Sequence, residues 1–370
     1  MKVLVIGGTS FNGLALVREL VKHGHDVATL NRGKTPAELP RRVRRLFADR
    51  TEPASVRGAL GREDFDAVYD VTAYRPEDVR LTAELLRGRV GHYVFVSSTV
   101  IYAPSDVLPI GEDHPVDRSP QQNEYGRLKI ECEDFLVREH RERRFPATTV
   151  ALSMVFGPNN VLPDREQRMF ARLQGGRPIP IPGDGTTLAQ VGHVEDQARA
   201  LRMLMLQPRT FGRRYNLTGA DYFSAEGYVD AFAAVVGVEP RKLFVPSDLM
   251  DDLYTGRAWL APGQVQAHID IRSTETVDTL VRQRFLLTFL VQRIAPHLHF
   301  WNKSVVFGID RLREDVGWKP EFTFASAVEH TYEWFRRERR HETTRFDWSW
   351  EDELLRLVAE RRGERKAASA

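Results

Sequence analysis

The 370-residue chain contains a single cysteine, Cys132. One thiol excludes an internal disulfide and any zinc centre built on cysteines. Long apolar runs are also missing. None approaches the roughly 20 residues that a membrane-spanning helix requires, and the first apolar stretch, KVLVI, is too short to be the core of a secretion signal. There is no excess of charge of one sign either. Lys and Arg total 53 against 51 Asp and Glu, and the net charge of +2 supplies no bulk attraction to nucleic acid or to an anionic membrane. No internal repeat or low-complexity tract interrupts the chain. The expectation is a globular protein of the reducing cytoplasm, long enough for two domains.

What is present is alternation. KVLVI (Lys2 to Ile6) is continuous, apolar and β-branched, as a strand covered on both faces should be. LALVRELVKHG follows, with Leu14, Val17, Leu20 and Val21 on one helical face and Gly24 as a stop. DVATL, DAVYDVTA, HYVFVSS and TTVALSMVF read as further strands, with helical stretches between several of them. Repeated β-α-β units predict a Rossmann-type α/β fold, a doubly wound parallel sheet with right-handed crossovers. After Gly157 the alternation weakens, and Pro and Gly accumulate in GPNNVLPD and GGRPIPIPGDG. The expected division is a Rossmann domain over 1–165, to which later strands can return, then a smaller α/β substrate domain over 166–345. A C-terminal helix with a polar, disordered tail is expected over 346–370.

Between the first strand and its helix lies GGTSFNG, Gly7 to Gly13. Strand, glycine turn and helix together form a dinucleotide-binding unit, in which the turn lets the backbone approach a pyrophosphate at free helix amides. Gly7 and Gly13 fill the outer glycine roles, and Ser10 stands where the middle glycine is usual. Thr9, Phe11 and Asn12 complete this candidate cofactor turn. The second strand ends TLNRGK, with Asn31 and Arg32 in place of the acid that an NAD site uses on ribose. A neutral Asn31 does not repel a 2′-phosphate, and the Arg32 fork can bind one. The reading therefore favours NADP over NAD. In FADR, Asp49 is placed to accept from the adenine amino group and Arg50 to flank the ring.

Tyr125 and Lys129, in EYGRLK, are one helical turn apart. A tyrosine titrates at about 10, and a neighbouring ammonium favours its phenolate. Lys129 is expected to lower the Tyr125 pKa and to hold the nicotinamide ribose. Ser98 closes HYVFVSS at the strand end where open parallel sheets bind ligands, and its hydroxyl can orient a substrate oxygen. Together these residues predict acid/base chemistry at a hydroxyl or ketone carbon coupled to a nicotinamide.

The motifs GGTSFNG, SSTVIYAP, EYGRLK, MVFGPNN, IPIPGDG, GHVEDQARAL, YNLTG and GWKPEF resemble the extended short-chain dehydrogenases/reductases, the NAD-dependent epimerase/dehydratase family. The match runs from Met1 to about Arg337. The resemblance implies Tyr125 as acid/base, Lys129 as its partner, and Ser98, four residues before Tyr102, as the substrate-hydroxyl binder. It adds Thr72 and Ala73 to the cofactor site, and Tyr74, Thr99, Met154 and Asn159 to the substrate site. A sugar-like or polyol substrate, nucleotide-linked or not, a homodimer and a closing C-terminal domain are also implied. Thr99 and Val100 replace the Asp-Glu of sugar-nucleotide dehydratases, and Met154 and Ala189 replace the Asn and Arg that hold a diphosphate. A standard nucleotide sugar is accordingly disfavoured. SDVLPIGEDHPVD, IPIPGDGTTLAQVGHVEDQA and DVGWKPEF are similar to the atypical branch that includes chloroplast stem-loop RNA-binding proteins. That branch lacks the active-site Tyr retained here as Tyr125. RNA or protein binding by a catalytically weak nucleotide-binding protein is the alternative, although the charge balance speaks against nucleic acid.

The apolar segment Thr279 to Trp301 is read as buried domain packing. His297 and His299 lack companion carboxylates or cysteines, so no metal site is expected. His193 is read as a structural hydrogen-bonder.

Overall fold

The structure is a computed structural model that describes residues 1–162, 164–255, 257–258, 260 and 294–368. The chain forms two compact units. The first is Met1–Val161, Val191–Asp221 and Val306–Ala327, and the second is Leu162–Gln190, Tyr222–Val305 and Val328–Ala370. The chain thus leaves the first unit near Val161 and returns to it twice.

The first unit begins β1 (Lys2–Ile6), α1 (Phe11–Lys22), β2 (Asp26–Asn31), β3 (Arg44–Phe47), α2 (Pro53–Leu60), β4 (Phe65–Asp70), α3 (Pro76–Leu86), β5 (Val90–Ser98), α4 (Glu124–Arg143) and β6 (Ala147–Leu152). With Arg214–Leu217 these strands make a seven-stranded sheet in the order 214–217, β6, β5, β4, β1, β2, β3. The pairs are parallel throughout. The order reverses beside β1, which pairs with both β2 and β4 and opens the crevice where such sheets take ligands.

Both faces of the sheet are covered. Val3, Val5, Val94, Val96 and Leu152 pack with Leu16, Val17 and Leu20 of α1 and with Leu201 and Leu204 of the helix Val194–Leu204. Leu4, Ile6, Val68 and Phe95 pack on the other side with Val56 of α2, Val79 and Ala83 of α3, and Phe135 of α4. This two-sided burial is why β1 is apolar at every position from Val3 to Ile6.

Two local readings change. TTVALSMVF is not one strand. β6 stops at Leu152, and Val155–Phe156 leave the sheet to pair with Gly192–His193. β3 and Arg214–Leu217 are short edge strands without the apolar run that marks the central ones.

The second unit is a smaller α/β body. Ile179–Pro182 pairs in parallel with Lys242–Val245, and Leu188–Ala189 pairs antiparallel with Phe223–Ser224. Its C-terminal end corrects the expected disordered tail, because Ser349–Ala368 is helical. Leu354 and Val358 are buried with Val245, Leu249 and Trp301. Arg361 bridges Asp248 and Asp252 at 2.8 and 2.9 Å, which extends helical order into the polar sequence. Of the apolar segment 279–301, residues 279–293 lie outside the described residues, while Ile294 and Trp301 join the same core. His297 stacks on Tyr228 with ring centroids 3.8 Å apart. Burial pushes the His297 pKa down to about 3. Among the described residues no helix is long and apolar enough to cross a membrane.

Candidate active site

The turn after β1 is shaped by contacts that exclude side chains. Gly7 has φ +93°, and a Cβ there would lie 2.2 Å from Thr72 Cγ2. A Cβ on Gly13 would lie 2.1 Å from the Gly7 carbonyl oxygen. Only glycine fits at either position. Ser10 is different. It precedes α1 with φ −146°, extended backbone open to any residue, and its side chain makes no capping bond. The first turn of α1 contains no acid, so its free amides face an anion without competition. Asn12 Oδ1 is buried with no hydrogen-bond partner among the described residues. Close glycines and free helix amides fit a dinucleotide pyrophosphate.

At the end of β2, the Asn31 side chain is turned onto its own loop. Its Oδ1 accepts from Gly33 N at 2.9 Å, and its Nδ2 donates to Thr29 Oγ1 at 3.4 Å. Arg32 and Lys34 are exposed. The Asp49 carboxylate accepts from Thr51 Oγ1 at 2.7 Å and Thr51 N at 3.0 Å. Those bonds, with weaker help from Arg32 and Lys34, hold its pKa below the ordinary carboxylate value.

The Arg50 side chain, expected to flank an adenine ring, is bonded instead to groups of its own fold. Its guanidinium points inward and forks onto Asp70, Nη1 to Oδ1 at 3.0 Å and Nη2 to Oδ2 at 2.9 Å. Nη1 also donates to Thr72 Oγ1 at 3.1 Å, and Nε lies 3.3 Å from Asp78 Oδ1. Asp70 is fully buried. Burial works against its charge, but Arg50, helped by the Tyr93 hydroxyl and Lys129, outweighs burial and the carboxyl stays below its ordinary value. A buried acid at a strand end draws the arginine away from solvent.

The acid/base residues stand on α4. Asn123 caps this helix by accepting from Gly126 N at 2.8 Å, and Gln122 Nε2 donates to Val100 O at 2.9 Å. The helix start is thereby tied to the turn that follows β5. Ser98 caps that turn, its Oγ accepting from Val100 N at 3.4 Å. Lys129 is 2% exposed, and its Nζ donates to Ala73 O and Val96 O, both at 2.8 Å. The ammonium also lies 4.8 Å from the ring centroid of Phe95, 5.2 Å from that of Tyr74 and 5.7 Å from that of Tyr125. Burial pushes its pKa down to about 8.

Tyr125 does not have the lowered pKa expected of it. Burial and the nearby Tyr74 raise its phenol above the ordinary value, and the Ser98 hydroxyl acts in the opposite direction. Lys129, its ammonium 5.7 Å from the Tyr125 ring centroid, is not among the groups that shift this phenol. Tyr125 as a residue is nevertheless 37% exposed.

Among the expected substrate residues, Tyr74 is exposed, with its ring centroid 6.0 Å from that of Tyr125. Met154 sits half-buried at the break after β6, where its carbonyl accepts from Gly192 N at 2.8 Å. Asn159 is half-buried in the left-handed region, φ +65°. Thr99 is withdrawn into the turn and buried. His193 caps the helix Val194–Leu204, its Nδ1 accepting from Glu195 N at 3.3 Å.

Sequence reasoning missed Asp70, Asp78, Gln122 and Asn123. The last had a legible signal, an Asn three residues before Gly126 at a helix start. Asp70 lay inside an apolar strand with nothing local to mark its partner.

The sequence profile of the NAD-dependent epimerase/dehydratase family matches residues 3–218. A chloroplast stem-loop binding protein of 41 kDa from Arabidopsis thaliana is 33% identical over 249 residues, 64% of this chain and 63% of that protein. A 2′-dehydrokanamycin reductase from Streptomyces kanamyceticus is 29% identical over 215 residues, 57% of this chain and 60% of that protein. The chain thus spans somewhat less than two thirds of the length of these relatives. The crystal structure of a UDP-glucose 4-epimerase from Thermotoga maritima superposes with a TM-score of 0.68 at 16% identity, covering 92% of this chain and 100% of that one. At that identity the likeness establishes the fold.

Proposed function

The chain belongs to the NAD-dependent epimerase/dehydratase family, and on that premise we propose that it oxidises or reduces a hydroxyl or ketone carbon of a sugar-like substrate. The observation that carries this reading is a junction at the carboxyl edge of the sheet. Thr72 packs against Gly7 of the dinucleotide turn, and the next residue, Ala73, holds Lys129 by its carbonyl. Dinucleotide turn and acid/base helix therefore meet within one short loop.

Gly7, Thr9, Ser10, Phe11, Asn12 and Gly13 would hold the pyrophosphate, and Asp49 the adenine amino group. When bound, the dinucleotide supplies the hydride acceptor or donor. Ser98 orients the substrate oxygen. Tyr125 Oη takes the hydroxyl proton during oxidation and returns it during reduction. Lys129 uses the proton not given to Ala73 and Val96 to hold the ribose, and its charge favours the Tyr125 phenolate as that phenolate forms. We assign NADP(H) rather than NAD, because Asn31 brings no charge and Arg32 and Lys34 stand exposed beside Asp49. The substrate need not carry a nucleoside diphosphate. Met154 and Ala189 offer no charged donor to one, and the similar 2′-dehydrokanamycin reductase is not named for a nucleotide-linked compound.

A second reading, RNA binding on a nucleotide-binding scaffold, is favoured by the 33% identity to the stem-loop binding protein. Native mass spectrometry of gently purified protein, followed by titration with NAD, NADH, NADP and NADPH, separates the two. A bound or readily titrated dinucleotide is expected. Binding of none of the four, together with salt-sensitive binding of a stem-loop RNA, would replace the enzyme reading with the second one.

A further inference from the structure

Arg50 lies at the centre of a frame that reaches every part of this site. The loop from Val71 to Arg75 carries three of its groups: the Thr72 side chain against Gly7, the Ala73 carbonyl on Lys129, and the Tyr74 ring. The loop is pinned at both ends. Upstream, Asp70 Oδ1 accepts from Thr72 N at 3.3 Å. Downstream, Asp78 Oδ2 accepts from Tyr74 N at 3.1 Å and Arg75 N at 3.2 Å. Arg50 contacts both pins, Asp70 through its fork and Asp78 through Nε, and also the Thr72 hydroxyl between them. From β5, Tyr93 OH closes the frame by donating to Asp70 Oδ2 at 2.8 Å, with Thr82 Oγ1 2.8 Å from that hydroxyl.

We infer that Arg50 is a positioning residue that sets Lys129 for the nicotinamide end of the coenzyme, acting through the Thr72–Ala73 segment. The inference rests on the reading of the site as a nicotinamide enzyme. The planar fork matters as well as the charge: the guanidinium hydrogen-bonds both Asp70 oxygens and the Thr72 hydroxyl while its charge lies 3.3 Å from Asp78, whereas an ammonium is a point charge. With the fork lost, Asp70 and Asp78 no longer share a partner, and the Ala73 carbonyl is free to drift from Lys129. Arg50 and Asp70 also act on the Lys129 ammonium with opposite sign.

The test is a coenzyme-fragment comparison with full-length protein, which requires no knowledge of the substrate. NADPH binding is followed by its nicotinamide fluorescence, and ADP binding by calorimetry. Arg50→Lys should weaken NADPH about tenfold while leaving ADP within about twofold, and should show no further loss when combined with Lys129→Met, as coupled residues do. Thr72→Ala, which spares the Arg50–Asp70 pair, should show the same pattern and guards against a folding defect in the first variant. Equal losses for NADPH and ADP would return Arg50 to the adenine site. Normal NADPH affinity, or losses strictly additive with Lys129→Met, would also overturn the inference. Wild-type protein that binds neither molecule would remove the proposed function, and this inference with it.

Discussion

Lys129 Nζ donates to the Ala73 carbonyl at 2.8 Å across 56 residues of sequence. That bond and its twin to Val96 hold an ammonium in a nearly dry position, where its pKa falls to about 8 from 10.5. The folded value lies below the unfolded one, so between these two pH values the unfolded chain binds more protons. The cost to the fold is full below about pH 8 and fades as pH rises toward 10.5. Lys129→Met should therefore compare with wild type more favourably near pH 7 than near pH 10, by up to about 3 kcal/mol. Denaturant unfolding of the coenzyme-free protein at both pH values measures this. A difference independent of pH would mean that the ammonium is not penalised.

Tyr125→Phe removes the only group assigned to carry the substrate proton and leaves the glycine turn untouched. Turnover should fall by about 10²- to 10⁴-fold, with coenzyme affinity preserved. Full activity in this variant would show that another group is the acid/base.

Arg32→Ala should weaken NADPH more than NADH, by about tenfold or 1.4 kcal/mol in relative affinity. Competitive titrations at fixed ionic strength report the ratio. Equal weakening of both coenzymes would refute phosphate recognition by Arg32.

Ser10 and Gly7 should respond in opposite ways although they lie in one motif. Ser10→Gly should leave coenzyme affinity within about tenfold, because Ser10 is extended and caps nothing. Gly7→Ala should cost about 1–3 kcal/mol of stability, because the new methyl collides with Thr72 at 2.2 Å and the backbone has φ +93°. Thermal unfolding and NADPH titration of the two variants would reveal any departure from this order.

In the second unit, Glu351 is a buried carboxylate serving two buried arginines. Its Oε1 accepts from Arg168 Nη1 at 2.9 Å and from Arg172 Nη2 at 2.7 Å. Glu351→Ala removes the carboxylate that Arg168 and Arg172 share, leaving Arg168 its pairing with Asp164, and should destabilise the protein by about 3 kcal/mol, read as an earlier denaturant midpoint. A loss below 1 kcal/mol would show that water replaces the carboxylate readily.

Periodicity made the sheet legible where burial is symmetric. β1, β2 and β5 are apolar because both faces are covered, and they were read directly. β3, with RRLF half exposed at the sheet edge, gave no such pattern. Local motifs exposed the turn at Gly7, the Tyr125–Lys129 spacing and Ser98, since each depends on neighbours in sequence. Arg50 was misplaced for the converse reason. Its position after β3 suggested an adenine contact, but its partners Asp70, Thr72 and Asp78 are 20 to 28 residues away, and no local signal marks a buried acid waiting at a strand end.

The sequence by itself determined the β-α-β order, the glycine turn and the residue types available for proton transfer. These follow from steric limits at single positions and from short-range periodicity. Only the tertiary structure decided how the charges are used. It turned Arg50 inward onto Asp70, directed Lys129 to the carbonyls of Ala73 and Val96, and left the Tyr125 phenol raised instead of lowered. Electrostatics in a protein interior depends on distance and on exclusion of water, and both are set by segments far apart in the chain.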